Sequence, residues 1–295
     1  MNSAVWRALV GVALVASGVS CSGGPSTLTN GHPTEQGTDP ERRGAQGGVA
    51  QFIVQCELSH MAHDDPIVHP HMSGLSHLHQ FFGNNDITAD PSYDKVIGAD
   101  TSCRQSLDTA SYWAPALLDA DGKQVMPLGM TAYYRPGRGV DPAEVVAYPA
   151  GIMLVAGDQF AEEPQSTDVV AWSCGTGATR SPRPPACPAS TPLRMIVTFP
   201  DCWDGESIDG LGDDSPARYS VDGCPDDFPV PVPQLTIAID YPSIDPEGLF
   251  LASGDILTGH ADFWNVWDQA KLEQEVELCL NRDLVCGVSD LGSSR

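Results

Sequence analysis

Positive charge is scarce in this chain. Lys and Arg number 15 in 295 residues, against 39 Asp and Glu, for a net charge of −24. A surface of that sign repels phosphate backbones and anionic lipid, which argues against nucleic acid as a partner and leaves the membrane accessible only through a lipid anchor. It suits cations or uncharged partners such as neutral polysaccharide. Several chemical signatures are missing as well. There is no C-x-x-C, so neither a zinc ribbon nor a thioredoxin-type site is indicated. There is no G-x-S-x-G elbow and no strand–helix alternation, which argues against an α/β hydrolase with a Ser-His-Asp triad. Neither a dinucleotide fingerprint nor a phosphate loop is found, and no internal repeat is visible.

What is present points to a turn-rich β protein. Hydrophobic residues make up 41%, enough for a substantial core, while Gly (29) and Pro (25) are abundant and charged residues only 18%. The first twenty-one residues read as an export signal. Arg7 forms a short positive start, and Ala8 to Val15 form an apolar stretch too short to span a bilayer. Small residues then lead into SGVSC, which resembles a bacterial lipobox ending at Cys21. Gly18 departs from the larger aliphatic residue usual there. Simple secretion is the alternative. Residues 22–49 carry Gly, Ser, Thr, Pro and charge with few apolar side chains. They predict a disordered tether with a root-mean-square reach of about 30 Å.

Removing Cys21 leaves eight cysteines, an even number that in an exported chain implies up to four disulfides. Sequence alone leaves their connectivity open. Short loops make Cys174–Cys187, Cys202–Cys224 and Cys279–Cys286 the simplest local pairs, which leaves Cys56 with Cys103.

From Ala50 onward the chain reads as one folded domain, residues 50–295. Strands are predicted over Gln51–Gln55 running to Cys56, over Ser111–Asp119 interrupted by Pro115, and over Val125–Tyr134. Asp121-Gly122 supplies a hairpin turn between the last two. Further strands are predicted over Ala150–Gly157, Asp168–Cys174, Leu193–Phe199 and Gln234–Tyr241. One convincing helix is predicted, Asp268–Leu280, N-capped by Asp268. About eight strands, long loops and one late helix argue for a mainly β chain, an antiparallel sandwich or jelly-roll-like domain.

Four of the eight histidines fall between His69 and Asn85, in HPHMSGLSHLHQFFGNN. His77 and His79 are spaced i, i+2. Alternate side chains of an extended segment share a face, so both imidazoles point the same way. Such a pair can bind a metal, polarise a substrate, or hydrogen-bond inside a core.

Six ordered phrases carry a family resemblance: DPIV (Asp65–Val68), SHLHQFFGN (Ser76–Asn84), SYWAPAL (Ser111–Leu117), GMTAYYRPG (Gly129–Gly137), FPDCWDG (Phe199–Gly205) and GHADFWNVWD (Gly259–Asp268). Over about Gln51 to Cys286 the chain resembles the domain-of-unknown-function family DUF1996, exported proteins of fungi and bacteria often joined to WSC carbohydrate-binding modules. The resemblance implies export, disulfides and a cell-wall or polysaccharide setting, and no activity. The family pattern includes residues matching His77, His79, His260 and Asp262. His69 and His71 look particular to this chain.

Three functions follow as expectations. In the first, the chain acts on polysaccharide as a hydrolase or lyase, Asp262 and Asp204 forming an acid/base pair beside His77, His79 and His260. Trp113, Tyr133, Tyr134 and Trp203 then stack on sugar rings. In the second, His77, His79 and His260 hold a divalent metal, zinc or copper, with an open position for water. The third is a non-catalytic wall-binding module. The aromatic side chains also suit core packing, and Asp204 suits a turn. The lipobox reading has its own consequence: Cys21→Ala should move the protein from the membrane fraction to the soluble fraction. Wild-type protein already soluble outside the cell would refute it.

Overall fold

A computed structural model describes residues 48–288. The export-signal segment with Cys21, and the tether up to residue 47, lie outside the described residues. No helix among the described residues is long and apolar enough to cross a membrane.

Two β-sheets dominate. The larger has the strand order Val285–Val288, Gln51–Cys56, Gly129–Arg135, Gln234–Tyr241, Leu193–Thr198, Val170–Cys174. The smaller has the order Leu58–Ala62, His79–Gly83, Ser111–Pro115, His260–Trp264, Met153–Gly157. Neighbours run antiparallel, apart from the edge pair Gln51–Cys56 and Val285–Val288, which is parallel.

The sandwich follows from period-2 alternation. Phe52 and Val54, Ala132 and Tyr134, Leu235, Ile237 and Ile239 of the larger sheet share one core with Phe82, Tyr112, Ala114, Leu154, Ala261 and Phe263 of the smaller. Aromatic contacts fill the space, with Phe52 stacked on Tyr134 at 4.5 Å and Tyr112 against Phe263 at 5.4 Å. The odd-numbered residues of the His79–Gly83 and Ser111–Pro115 strands face the other way. There Phe81, Trp113 and Trp264 form a second core with Ile67, Ile87 and Val96, which come from the segments laid over that face.

The four disulfides are Cys56–Cys103, Cys174–Cys187, Cys202–Cys224 and Cys279–Cys286, the pairing that short loops favour. They are consistent with an exported protein. Loop-closure entropy makes the first, closing 47 residues, worth roughly 4 kcal/mol and the last, closing 7, roughly 2 kcal/mol.

Two expectations are adjusted by tertiary packing. The Asp121-Gly122 turn forms, with Asp119 N donating to Lys123 O and Val125 N to Leu117 O. The expected hairpin stops there, because the chain then crosses to the larger sheet and pairs Gly129–Arg135 between two other strands. The late helix is α-helical over Gln269–Glu275, capped by the Asp268 side chain on Lys271 N at 2.9 Å. It then widens into a π turn over Val276–Leu280 that leads to the last disulfide.

The main core also encloses a polar chain. Tyr112 donates its hydroxyl hydrogen to Asp108 at 2.8 Å, Tyr112 and Tyr134 hydroxyls meet, and Trp267 Nε1 donates to Tyr134 at 3.1 Å. Burial pushes the Asp108 carboxyl up to about 8, against the pull of its hydrogen bonds from Tyr112 and Ala110. An acid raised in the folded state contributes stability in full below its unfolded value near 4 and loses it as pH rises toward 8. The loss is up to about 1.4 kcal/mol per pH unit. Asp108→Asn should therefore gain stability over wild type as pH rises from 5 to 8 in denaturant titrations. A pH-independent difference would refute this account.

Candidate metal centre

The outer face of the smaller sheet carries the histidines. His79 opens its strand, and Phe81 follows it on the same face. The neighbouring Ser111–Pro115 strand places Pro115 opposite His79 and Trp113 opposite Phe81. On its other side Trp113 is opposite Asp262, so His260 is level with Pro115. His79 and His260 thus stand two strands apart, about 10 Å between backbones. The compact proline ring between them leaves room for both imidazoles to lean inward, to 6.0 Å between ring centres. His77 lies just before the strand rather than within it, yet its ring comes to 4.2 Å from His79 and 5.0 Å from His260. One nitrogen from each of the three lies within 4.8 Å of the others.

Backbone carbonyls select the tautomers. His79 Nδ1 donates to Asp64 O at 3.0 Å, and His260 Nδ1 donates to Thr258 O at 2.8 Å. A carbonyl only accepts, so the proton sits on Nδ1 and the Nε2 lone pair is left for a ligand. His77 Nε2 and His79 Nε2 are buried with no hydrogen-bond partner among the described residues. Burial is the first cause lowering all three imidazoles. His77 falls to about 4, helped by His260, His69 and His63, and His260 falls to about 4 against the opposing pull of Thr258 O and Asp158. His79 is pushed well below the usual range by burial and then by His77 and His260. At neutral pH the three are uncharged, the state in which imidazole binds metal.

Two carboxyl groups adjoin them. Asp65, His79 and Asp262 also offer atoms within 4.8 Å of one another. Asp65 Oδ1 accepts from Ile67 N at 3.0 Å and Val68 N at 2.9 Å. Asp262 is fully buried, and neither of its carboxyl oxygens has a hydrogen-bond partner among the described residues. Burial, then Asp65, raises its carboxyl far above the ordinary range.

The segment over the site is closed at its base. Ser76 N donates to His63 O, and His63 Nδ1 bonds Ser76 O at 3.1 Å. The Asp64 carboxylate takes Ser73 Oγ, Gly74 N and Ala89 N. His77 is half-buried and the least buried of the three.

The other expected site residues lie elsewhere. Asp204 turns the chain after Trp203: its Oδ1 accepts from Glu206 N and Ser207 N, both at 2.8 Å. Partial burial raises that carboxyl, but these bonds outweigh it and hold it below the usual value. Asp204 is not in the group that Asp262 forms with Asp65 and His79. Trp113 is fully buried against Phe81, and Tyr134 lies in the main core. Tyr133 faces the outside of the larger sheet under Arg135, across the sandwich from the histidines. Trp203 is half-buried and donates to Ser207 O. None of the four offers an open sugar platform at the cluster. His60 stacks on Phe81 at 4.6 Å and is outside the triad. Asp65 was absent from the expected site, although it heads the DPIV phrase that carries the family resemblance.

The family model described as a domain of unknown function, DUF1996, matches residues 65–267. No curated protein and no solved structure matches the chain.

Burial separates the core residue Trp113 from the half-buried turn residue Asp204 in a measurable way. Trp113→Ala should cost about 3–5 kcal/mol in denaturant unfolding through the cavity it leaves, and Asp204→Ala no more than about 1 kcal/mol. A stable Trp113→Ala protein with altered glycan binding would show that the indole is a binding surface.

Proposed function

The chain belongs to the DUF1996 family, whose description names no activity, and we propose that it functions through a divalent transition ion held by His77, His79 and His260. The observation that carries this reading is the convergence of three neutral imidazoles, two with their Nδ1 hydrogens committed to backbone carbonyls and two with a buried Nε2 lacking any partner among the described residues. Uncharged nitrogen donors suit zinc or copper. Three protein ligands leave a coordination position for water or substrate, and the half-buried His77 side is where it can enter. The ion's charge also accounts for the company it keeps, since imidazoles bring none and the adjacent Asp65 and Asp262 can balance it.

We place this centre outside the cell, delivered by the Met1–Cys21 segment and held through Cys21. For the partner, the net charge of −24 favours a neutral ligand, and polysaccharide is the class we propose. The buried Trp113 and Tyr134 lend that choice no support, so it stands or falls on a glycan panel assayed for reducing ends and for binding, with metal and after chelation.

The metal reading is tested on the purified full chain by chelation followed by zinc and copper titration. One tightly bound equivalent should depend on the triad, and melting temperature should rise on loading. Saturation at 100 times the dissociation constant is worth about 2.7 kcal/mol. His77→Ala, outside the strand and half-buried, should fold and lose that equivalent together with the melting shift. Wild-type protein that binds neither ion would overturn the reading.

A further inference from the structure

We infer that the centre contains a second cation position, formed by the carboxylates of Asp65 and Asp262 and suited to a hard divalent ion such as manganese, calcium or magnesium. The inference deepens the triad reading and rests on it, since the second position adjoins the first through His79.

The five donors fall into two sets. His77, His79 and His260 form one group within 4.8 Å, and Asp65, His79 and Asp262 form the other. The sets share only His79, and that ring has one uncommitted nitrogen because Nδ1 is spent on Asp64 O. One ion at the triad therefore engages the imidazoles and balances charge with the carboxylates at a distance, but leaves both Asp262 oxygens without a direct partner.

The carboxylates need an answer. Asp262 has no exposed surface and no hydrogen-bond partner for either oxygen among the described residues. Asp65 is nearly as buried. The charged group acting on Asp262 is Asp65, of the same sign. An ionised carboxylate buried with no donor on either oxygen is among the least favourable arrangements in a protein interior. In the ion-free protein a proton on Asp262 relieves it, and a cation held between Asp262 and Asp65 would take that proton's place.

Donor type sets the ion. Carboxylate oxygens completed by water suit manganese, calcium or magnesium, whereas imidazoles suit zinc or copper. Asp262 brings two uncommitted oxygens to the second position. Asp65 also belongs to the segment laid over the sheet, and its Oδ1 already fixes the Ile67 and Val68 amides. An ion between Asp65 and Asp262 would fasten that segment to the sheet.

The experiment counts ions. The full chain, stripped with chelator, is given one equivalent of zinc and then titrated with manganese. Bound metal is read by mass spectrometry of the native protein and by the manganese spin-resonance signal. Two ions per chain are expected. Asp65→Asn, which keeps the oxygen that accepts the Ile67 and Val68 amides, should weaken manganese binding at least tenfold with zinc retained. Asp262→Asn should do the same, and His77→Ala should release zinc. One zinc and no manganese in wild type overturns the second position and leaves the triad standing. Loss of zinc along with manganese in Asp65→Asn also overturns it, because it shows a single mixed site. No bound metal of either kind overturns both readings. The wild-type count stands even if Asp262→Asn fails to fold.

Discussion

Burial of the smaller sheet on both faces is the constraint on which the rest of this structure depends. An antiparallel sheet commonly shows one face to water, and its sequence then alternates apolar and polar. Here the His79–Gly83, Ser111–Pro115 and His260–Trp264 strands are buried at every position. One face packs into the sandwich, and the other lies under Ile67, Ile87 and Val96. Polar residues on the covered face have therefore lost water and must find partners. Ser111 Oγ, Trp113 Nε1, Trp264 Nε1, both Asp262 oxygens, and the His77 and His79 Nε2 atoms find none among the described residues. Trp172 Nε1 and Ser220 Oγ are unpartnered elsewhere in the fold, but most such atoms among the described residues gather on or beside this one face, where a polar or charged ligand would answer them.

The core strands were legible because their side chains obey a local rule. Gln234–Tyr241 alternates cleanly and forms over that span, and Leu193–Thr198 is buried throughout because it lies between two other strands. The disulfide pairs were legible because loop closure favours near partners in three of four cases. His260–Trp264 was missed as a strand, because HADFW mixes polar and aromatic residues on a face buried by segments far away in sequence. The same cause hid the role of Trp113. An aromatic residue beside histidines reads as a binding surface until the cover formed by residues near Ile67 and Ile87 is known.

The triad shows both sides of this. The i, i+2 spacing placed His77 and His79 together, and the rings do lie close. The meeting with His260 depends on strand order, since Ser111–Pro115 must lie between the two histidine-bearing strands with Pro115 level with both. No local pattern encodes that. Asp204 illustrates the reverse case. Its own neighbours, Gly205 and the Glu206 and Ser207 amides, account for its place in a turn.

The parallel edge pair has a mechanical consequence. Gln51–Cys56 is the first strand after the N-terminal segment, and it is gripped on one side by Gly129–Arg135 and on the other by Val285–Val288. A pull on the N-terminus loads those two ladders in shear, so many hydrogen bonds must fail together rather than peel one at a time. At the far end of the strand, Cys56 is cross-linked to Cys103, and the last strand is cross-linked to the preceding helical turn through Cys279–Cys286. Force entering from that end meets covalent stops within the first strand. A domain stretched between a surface and a bound polymer would extend very little before the whole sandwich bore the tension.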